Sequence, residues 1–441
     1  MLTRERTGTI FKLAFPVSIA LSSTLVMSLI DLAMVGSLGN HAIAAVGLSV
    51  FSNTLALAFV MGLSPAIQGL VARRKGEGST EKKCLPLNGG LLMALIVGIP
   101  LTAICYAATP WLFTLISSDP EVTRIGVPFL RTLYLGIVAV GMNVAFKGHW
   151  YGMERPNVYM LIVLFMNVLN ILGNFALIFG RFGAPALGAT GAALSTVISL
   201  WVGVLINFAL STALFRRDGF LSARPAGSLL LRIFKIGLPA TVQEFFYTAG
   251  YIVFLWLIGQ VGTVELAAAN VLVRIMMVLL ILAISLGAAS ATLVSRTVGQ
   301  GDPAGAAQWG WDAGKLGVIG ITLLGLPLLI FPSRFLAIFL RDPHAIAIAI
   351  IPLQIVAATA GLGSLIYIFA HTLYSVGDGN RVVLISFTTQ WLFFLPAVWF
   401  VGPYLNYGLL QIWLVQMVYG LIATVLITSI WADGKWKKIK I

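Results

Sequence analysis

Residues 16–45 read PVSIALSSTLVMSLIDLAMVGSLGNHAIAA, and residues 239–268 read PATVQEFFYTAGYIVFLWLIGQVGTVELAA. The second segment repeats the first at an offset of 223: Pro16 returns as Pro239, Gly36 as Gly259, Gly39 as Gly262, and Ala44-Ala45 as Ala267-Ala268. Further along, Val71, Arg73, Gly76 and Gly78 return as Val294, Arg296, Gly299 and Gly301, and Asp119-Pro120 returns as Asp342-Pro343. Chance readily pairs Ala with Ala in an apolar chain. It does not readily pair Pro, Gly, Arg and Asp-Pro at one constant spacing. The chain is two related halves.

What each half is made of follows from composition. Apolar residues make up 59% of the 441 and charged residues only 10%, which leaves too little polar surface to cover a water-soluble fold. Lipid is the solvent that suits such a chain. A helix needs ~20 apolar residues to cross the hydrocarbon core. Reading apolar runs between polar turns predicts twelve spans: 11–35, 44–70, 87–116, 125–148, 157–179, 188–212, 236–258, 266–292, 309–330, 346–372, 382–400 and 406–430. The expected fold is therefore an all-α polytopic membrane protein. Its twelve transmembrane helices form two parallel six-helix repeats, arranged as two lobes around a central cleft. The expected divisions are an N-terminal lobe over 1–212, a cytoplasmic linker over 213–235 and a C-terminal lobe over 236–441.

An even number of spans puts both termini on one side. If that side is the cytoplasm, its loops and flanks hold 22 of the 28 Lys and Arg residues, among them Arg73, Arg74, Lys75, Lys82, Lys83, Arg216, Arg217 and Lys440. The opposite side holds Arg124, Arg131, Arg181, Arg334 and Arg341, and Arg274 lies within a span. This bias orients both termini towards the cytoplasm. The net charge of +13 is spread over many short loops without an aromatic-basic face, which argues against a nucleic-acid partner. Cys84 and Cys105 and four scattered histidines make no metal-ligand pattern. No phosphate-binding loop, dinucleotide fingerprint or nucleophile elbow is present. An enzyme is not expected; a transporter driven by an ion gradient or by its substrate's own gradient is.

Ionisable groups inside spans are costly, by ~2.5–3.5 kcal/mol at a helix centre on the insertion scale, and they usually face protein or water. Asp31 follows a run of apolar residues in the outer part of span 1, and reads as an ion-coupling carboxylate or as an interfacial aspartate bonded to a neighbour. Glu244 lies about eight residues into span 7, or ~12 Å at 1.5 Å per residue. It reads either as a second coupling group or as the partner of Arg274, which enters span 8 from the other side. Span 5 carries Asn167, Asn170 and Asn174 near one helical face, and span 4 carries Asn143; these can line a cleft beside Asp31 or bond structurally between helices. Gln243 adds a polar point next to Glu244. Pro16 and Pro239 sit about one turn into the first helix of each half, where they are hinge candidates or simply helix-start prolines.

The run from Pro16 through Asp31-Leu32-Ala33-Met34-Val35-Gly36-Ser37-Leu38-Gly39 to Ala42-Ile43-Ala44-Ala45-Val46-Gly47 resembles the first span and turn of multidrug and toxic compound extrusion (MATE) transporters of bacterial type. Leu177-Ile178-Phe179-Gly180, Gly183, Pro185-Ala186-Leu187-Gly188 and Gly191-Ala192-Ala193 resemble their fifth-to-sixth span connection. Gly237-Leu238-Pro239, followed by Val261-Gly262 and Leu266-Ala267-Ala268, resembles their seventh span and its exit. The resemblance covers essentially the whole chain. It implies antiport of small cationic or amphipathic organic compounds against protons or sodium, by a monomer working in membrane lipid and without a bound cofactor.

Asp31 matches the first-helix aspartate of that family's N-lobe cavity. Asn174 stands where archaeal and related bacterial members carry a second aspartate. Tyr247 stands roughly where a sodium-binding branch has a glutamate, and span 10 lacks that branch's carboxylate. Proton coupling through Asp31 is the expected mode, with sodium coupling or export of a single metabolite as alternatives. Asn143, Asn167, Asn170, Asn174, Gln243, Tyr247 and Arg274 are the substrate-binding candidates. A lipid-linked oligosaccharide flippase would need a strongly basic cavity, and Arg274 is the one basic residue deep in a span.

Overall fold

The computed structural model describes residues 3–78, 83–216 and 218–439, so Lys82, Arg217 and Lys440 of the charge count lie outside the described residues. Among the described residues sixteen α-helices follow one another. The first eight are α1 (Arg4–Gly36), α2 (Asn40–Met61), α3 (Leu63–Gly76), α4 (Leu85–Ile116), α5 (Pro120–Tyr134), α6 (Ile137–Gly152), α7 (Pro156–Phe179) and α8 (Ala189–Phe215). The second eight are α9 (Gly227–Val261), α10 (Thr263–Gly299), α11 (Pro303–Ile330), α12 (Pro332–Leu336), α13 (Pro343–Ser375), α14 (Gly379–Phe387), α15 (Leu395–Trp399) and α16 (Leu409–Ala432). Among the described residues, eleven helical stretches are long and apolar enough to span a membrane, and α5 with α6, bent by 43°, supplies a twelfth. The chain is an all-α polytopic membrane protein. Its outer residues confirm lipid as the solvent: Trp111, Ile104 and Leu205 are each about two-thirds exposed.

Helix starts follow turn chemistry, and they follow it twice. Asp119 caps α5 by accepting the Glu121 amide at 2.8 Å, and Asp342 caps α13 by accepting the His344 amide at 3.0 Å. In both cases proline occupies the first helical turn, where its missing N–H costs nothing. The repeated Asp-Pro is thus a repeated helix start.

Besides the bend between α5 and α6 in the span expected over 125–148, two further expected spans are interrupted. The stretch 44–70 is interrupted at Gly62 between α2 and α3, and only glycine fits there, because a Cβ would run into the Gly237 carbonyl and the Thr241 hydroxyl. The eleventh span, Gly379–Tyr404, includes two π-helical segments, Thr388–Phe394 and Phe400–Tyr404, on either side of α15.

The described chain divides into two compact units, Ile19–Thr241 and Met1–Ser18 with Val242–Ile441. These boundaries are not those of the expected lobes, which break in the linker at 213–235. Each unit instead takes the opening section of the other repeat's first helix. The reasons are local. In the second unit, Arg6 near the start of α1 meets the buried carboxylate of Asp312 on α11 at 2.9 Å, donates to Gln308 at 2.7 Å and lies 4.1 Å over the Trp309 ring. In the first unit, the opening of α9 packs its Gly237 against Gly62, and Ile233 fills the space beside Gly89. Asn88 then holds the linker, donating to the Gly219 and Ala223 carbonyls at 2.9 Å each and accepting from the Leu221 amide.

The crossings fall after Ser18 and after Thr241, two residues beyond Pro16 and Pro239. Each proline removes one amide donor from its helix, the one that would have met the carbonyl of Lys12 or of Lys235. Within the second unit, α13 is the central helix and packs against α10, α11 and α16. Its core centres on residues such as Leu272, Leu353 and Ile412, all fully buried.

Candidate functional site

Asp31 lies on α1 one and a half turns before the Gly36 end, half-buried, in the first unit. Asn174 of α7 donates its side-chain amide to Asp31 Oδ1. Asn170 lies one turn earlier on α7. Oriented so that its oxygen accepts from the Thr196 backbone amide at 3.0 Å, its nitrogen donates to the same Oδ1 at 3.2 Å. The spacing of four residues puts both amides on one face of α7, above one another. Both asparagines are buried, so their polar groups need partners inside the fold. One atom does not have one: Asn174 Oδ1 is buried without a hydrogen-bond donor.

Asn167 continues the same face and donates to Ser23 Oγ on α1 at 3.0 Å. Asn143 sits elsewhere. It donates to the carbonyls of Ala139 and Leu200 and accepts from Asn207, whose oxygen in turn accepts from the Trp150 indole at 2.8 Å. This chain of bonds, with Asn207 and Trp150 fully buried, ties α6 to α8. Of the four asparagine candidates, three meet α1 and one belongs to a separate α6–α8 network.

In the second unit, Glu244 and Arg274 both lie at exposed positions, on α9 and α10. Glu244 is within electrostatic reach of Tyr247, Tyr367 and Tyr374, and Arg274 of Tyr251. Tyr247 and Tyr367 place their hydroxyls 3.5 Å apart, joining α9 to α13. Gln243 lies on the neighbouring face and lines a cavity of about 10 Å³, the size of one water, with Phe246, Ser386, Phe387 and Gln390. Its Oε1 is buried without a donor.

Several residues that make these sites were not distinguishable in the sequence. Ser23, Ser195, Thr196 and Asn207 carry the side-chain bonds around the asparagines. Serine and threonine are common in membrane helices and usually bond back to their own helix, as Ser195 Oγ does not and Thr196 Oγ1 does.

The chain matches the MatE family model twice, over residues 16–176 and 239–400. The probable multidrug resistance protein NorM of Thermotoga maritima is 25% identical over 449 residues, covering 97% of this chain and 93% of that protein. The multidrug resistance protein MdtK of Yersinia pseudotuberculosis is 25% identical over 397 residues, covering 88% and 86%. Among solved structures, a MOP-superfamily transporter from Pyrococcus furiosus superposes with a TM-score of 0.87 at 19% identity, covering 99% of this chain and 97% of that one. A eukaryotic MATE transporter superposes with a TM-score of 0.84 at 18% identity, covering 98% and 97%. The two matched segments begin at Pro16 and Pro239, so the family's own unit is the repeat that the sequence shows. With twelve apolar spans among the described residues and a family match over most of its length, the chain belongs to the MATE family, a multi-pass transporter of bacterial inner-membrane type rather than an enzyme.

Proposed function

We propose that this protein is a proton-coupled antiporter that exports small cationic or amphipathic organic compounds, with Asp31 as the coupling carboxylate. The observation that carries the reading is the convergence of the Asn170 and Asn174 amides on Asp31 Oδ1. Two N–H donors aimed at one oxygen suit an ionised carboxylate. Protonation turns that carboxyl group into a donor and removes the match. Asn174 can answer by turning its amide, because its oxygen has no partner to lose. A cation arriving at Asp31 would favour the ionised arrangement, and a proton the other. Substrate and proton then compete for one charge, which is the elementary requirement of antiport.

The helix that bears Asp31 passes from one compact unit to the other just beyond Pro16, and α9 does the same just beyond Pro239. Both prolines act as hinges in this reading. Glu244 and its tyrosine neighbours, with Arg274 nearby, supply a second polar surface in the other unit, suited to the cationic part of a substrate or to a second ion. The names of the relatives NorM and MdtK, both multidrug resistance proteins, support organic compounds as the cargo.

The test is export of a panel of cationic dyes from proteoliposomes under separately imposed proton and sodium gradients. Proton coupling requires export driven by the pH gradient at zero sodium. Export that follows the sodium gradient alone would replace the proton by sodium at the same site.

A further inference from the structure

The offset of 223 that relates the halves in sequence also relates two contacts in the structure. Asn167 plus 223 is Gln390, and Ser23 plus 223 is Phe246. In the first unit, Asn167 of α7 donates to Ser23 Oγ of α1 at 3.0 Å, and that hydroxyl donates on to the Ala20 carbonyl at 2.8 Å. In the second unit, Gln390 of the eleventh span donates to the Tyr247 carbonyl of α9 at 3.3 Å, and its neighbour Trp391 donates to the Phe246 carbonyl at 3.2 Å. One half uses a short amide and a hydroxyl relay. The other uses an amide one methylene longer and reaches the backbone directly.

Two features show that the second contact is built for. Gln390 and Trp391 are consecutive, so on an α-helix their side chains would diverge by about 100°. They lie in the π-helical segment Thr388–Phe394, whose wider turn brings consecutive side chains closer in direction, and both reach α9. Gly250 lies opposite, and a Cβ there would occupy the space of the Gln390 amide. Gln390 itself is 6% exposed.

We propose that Asn167 and Gln390 are equivalent positioning residues, each fastening the first helix of its repeat to the fifth helix of that repeat just beyond the hinge proline. Ser23 and Phe246 each lie seven residues past their proline and five past the crossing between units. Such clips make the section carrying Asp31, and the section carrying Tyr247, move with its own unit. Bending is then confined to Pro16 and Pro239, and the polar site keeps its geometry while the helix turns. The proposal rests on the transport reading but not on which ion is coupled.

The experiment attacks each clip from both ends. Ser23→Ala and Asn167→Leu break the first, and Gln390→Met and Gly250→Ala the second. Hydrogen exchange on the purified protein should speed up about fivefold or more at residues 23–28 in the first pair and at 246–251 in the second. Export turnover should fall about threefold or more, with substrate KM and the pH midpoint held within about twofold. Gly250→Ala should behave like Gln390→Met, and the double variant Gly250→Ala with Gln390→Ala should lose no more than either single variant, because both act on the one contact.

Unchanged exchange overturns the proposal, as does faster exchange with full turnover, which would make the contacts mere packing. A raised KM at full turnover would make these residues substrate ligands instead. An effect in one unit only would overturn the equivalence. Wild-type export that follows neither ion gradient would count against the antiport reading, and the exchange data would still decide the clips.

Discussion

Asn174 donates its side-chain amide to Asp31, joining the fifth span to the first across 143 residues of sequence. The bond places a titratable group against one that cannot titrate. Replacing Asp31 with asparagine keeps the shape of the contact and removes the charge. Asp31→Asn should therefore reach the membrane at near-normal abundance and fail to export against a gradient. Dye efflux in proteoliposomes and substrate-induced proton release from purified protein check this; full export driven by a pH gradient would move the coupling role to Glu244.

Asn174→Asp should do the reverse and add a second carboxylate beside the first. Two like charges at hydrogen-bond distance disfavour double ionisation, so the pair holds one proton to higher pH. The pH profile of export should move in the alkaline direction by about one unit or more. An unshifted profile, measured across pH 6–9, would mean that the two side chains do not share a proton.

The clasp between Arg6 and Asp312 predicts an asymmetry. Asp312 is 8% exposed and Arg6 21%, so removing the arginine strands the more deeply buried charge. Arg6→Ala should destabilise the folded protein by about 3 kcal/mol, and Asp312→Asn by clearly less, since the amide can still accept from Arg6. Thermal unfolding in detergent, compared with the double variant, gives the coupling directly. Equal losses for the two single variants would show that the pair is not the source.

Glu244 and Arg274 flank the tyrosine row of α9 and should act together. A double-mutant cycle of Glu244→Gln and Arg274→Gln, read by export rate, should show an interaction of about 0.5 kcal/mol or more. Strict additivity would separate them.

Cys84 stands just before α4 with its side chain fully buried, and burial, with Asp218 as a smaller contributor, pushes its thiol up to about 12. The folded state thus favours the neutral thiol, a contribution present below the ordinary value of 9.0 and lost as pH rises through about 12. Cys84 should resist maleimide at pH 7 and react after denaturation, which mass spectrometry of labelled peptides can read. Rapid labelling of the native protein would show that the linker opens over it.

The sequence by itself determined the solvent, the helices and the repeat. Apolar composition excludes water as the surrounding medium, and Pro, Gly and Asp-Pro at one offset identify two copies, because those residues govern backbone geometry that every copy must reproduce. It also picked out Asp31, since a carboxylate among apolar residues is costly enough to be noticed.

Only the tertiary structure decided which polar residues meet it. Asn143 and Asn174 look alike on paper. One is drawn into a network with Asn207 and Trp150, and the other reaches Asp31. The compact units were likewise hidden, because their boundaries depend on Arg6 finding Asp312 and on Gly62 admitting Gly237. The π-helical turn at Thr388–Phe394 leaves no periodicity long enough to read. Hydropathy along a chain reports how each segment meets its solvent. Hydrogen bonds between spans depend on helix rotation and close approach, which packing sets and local sequence does not.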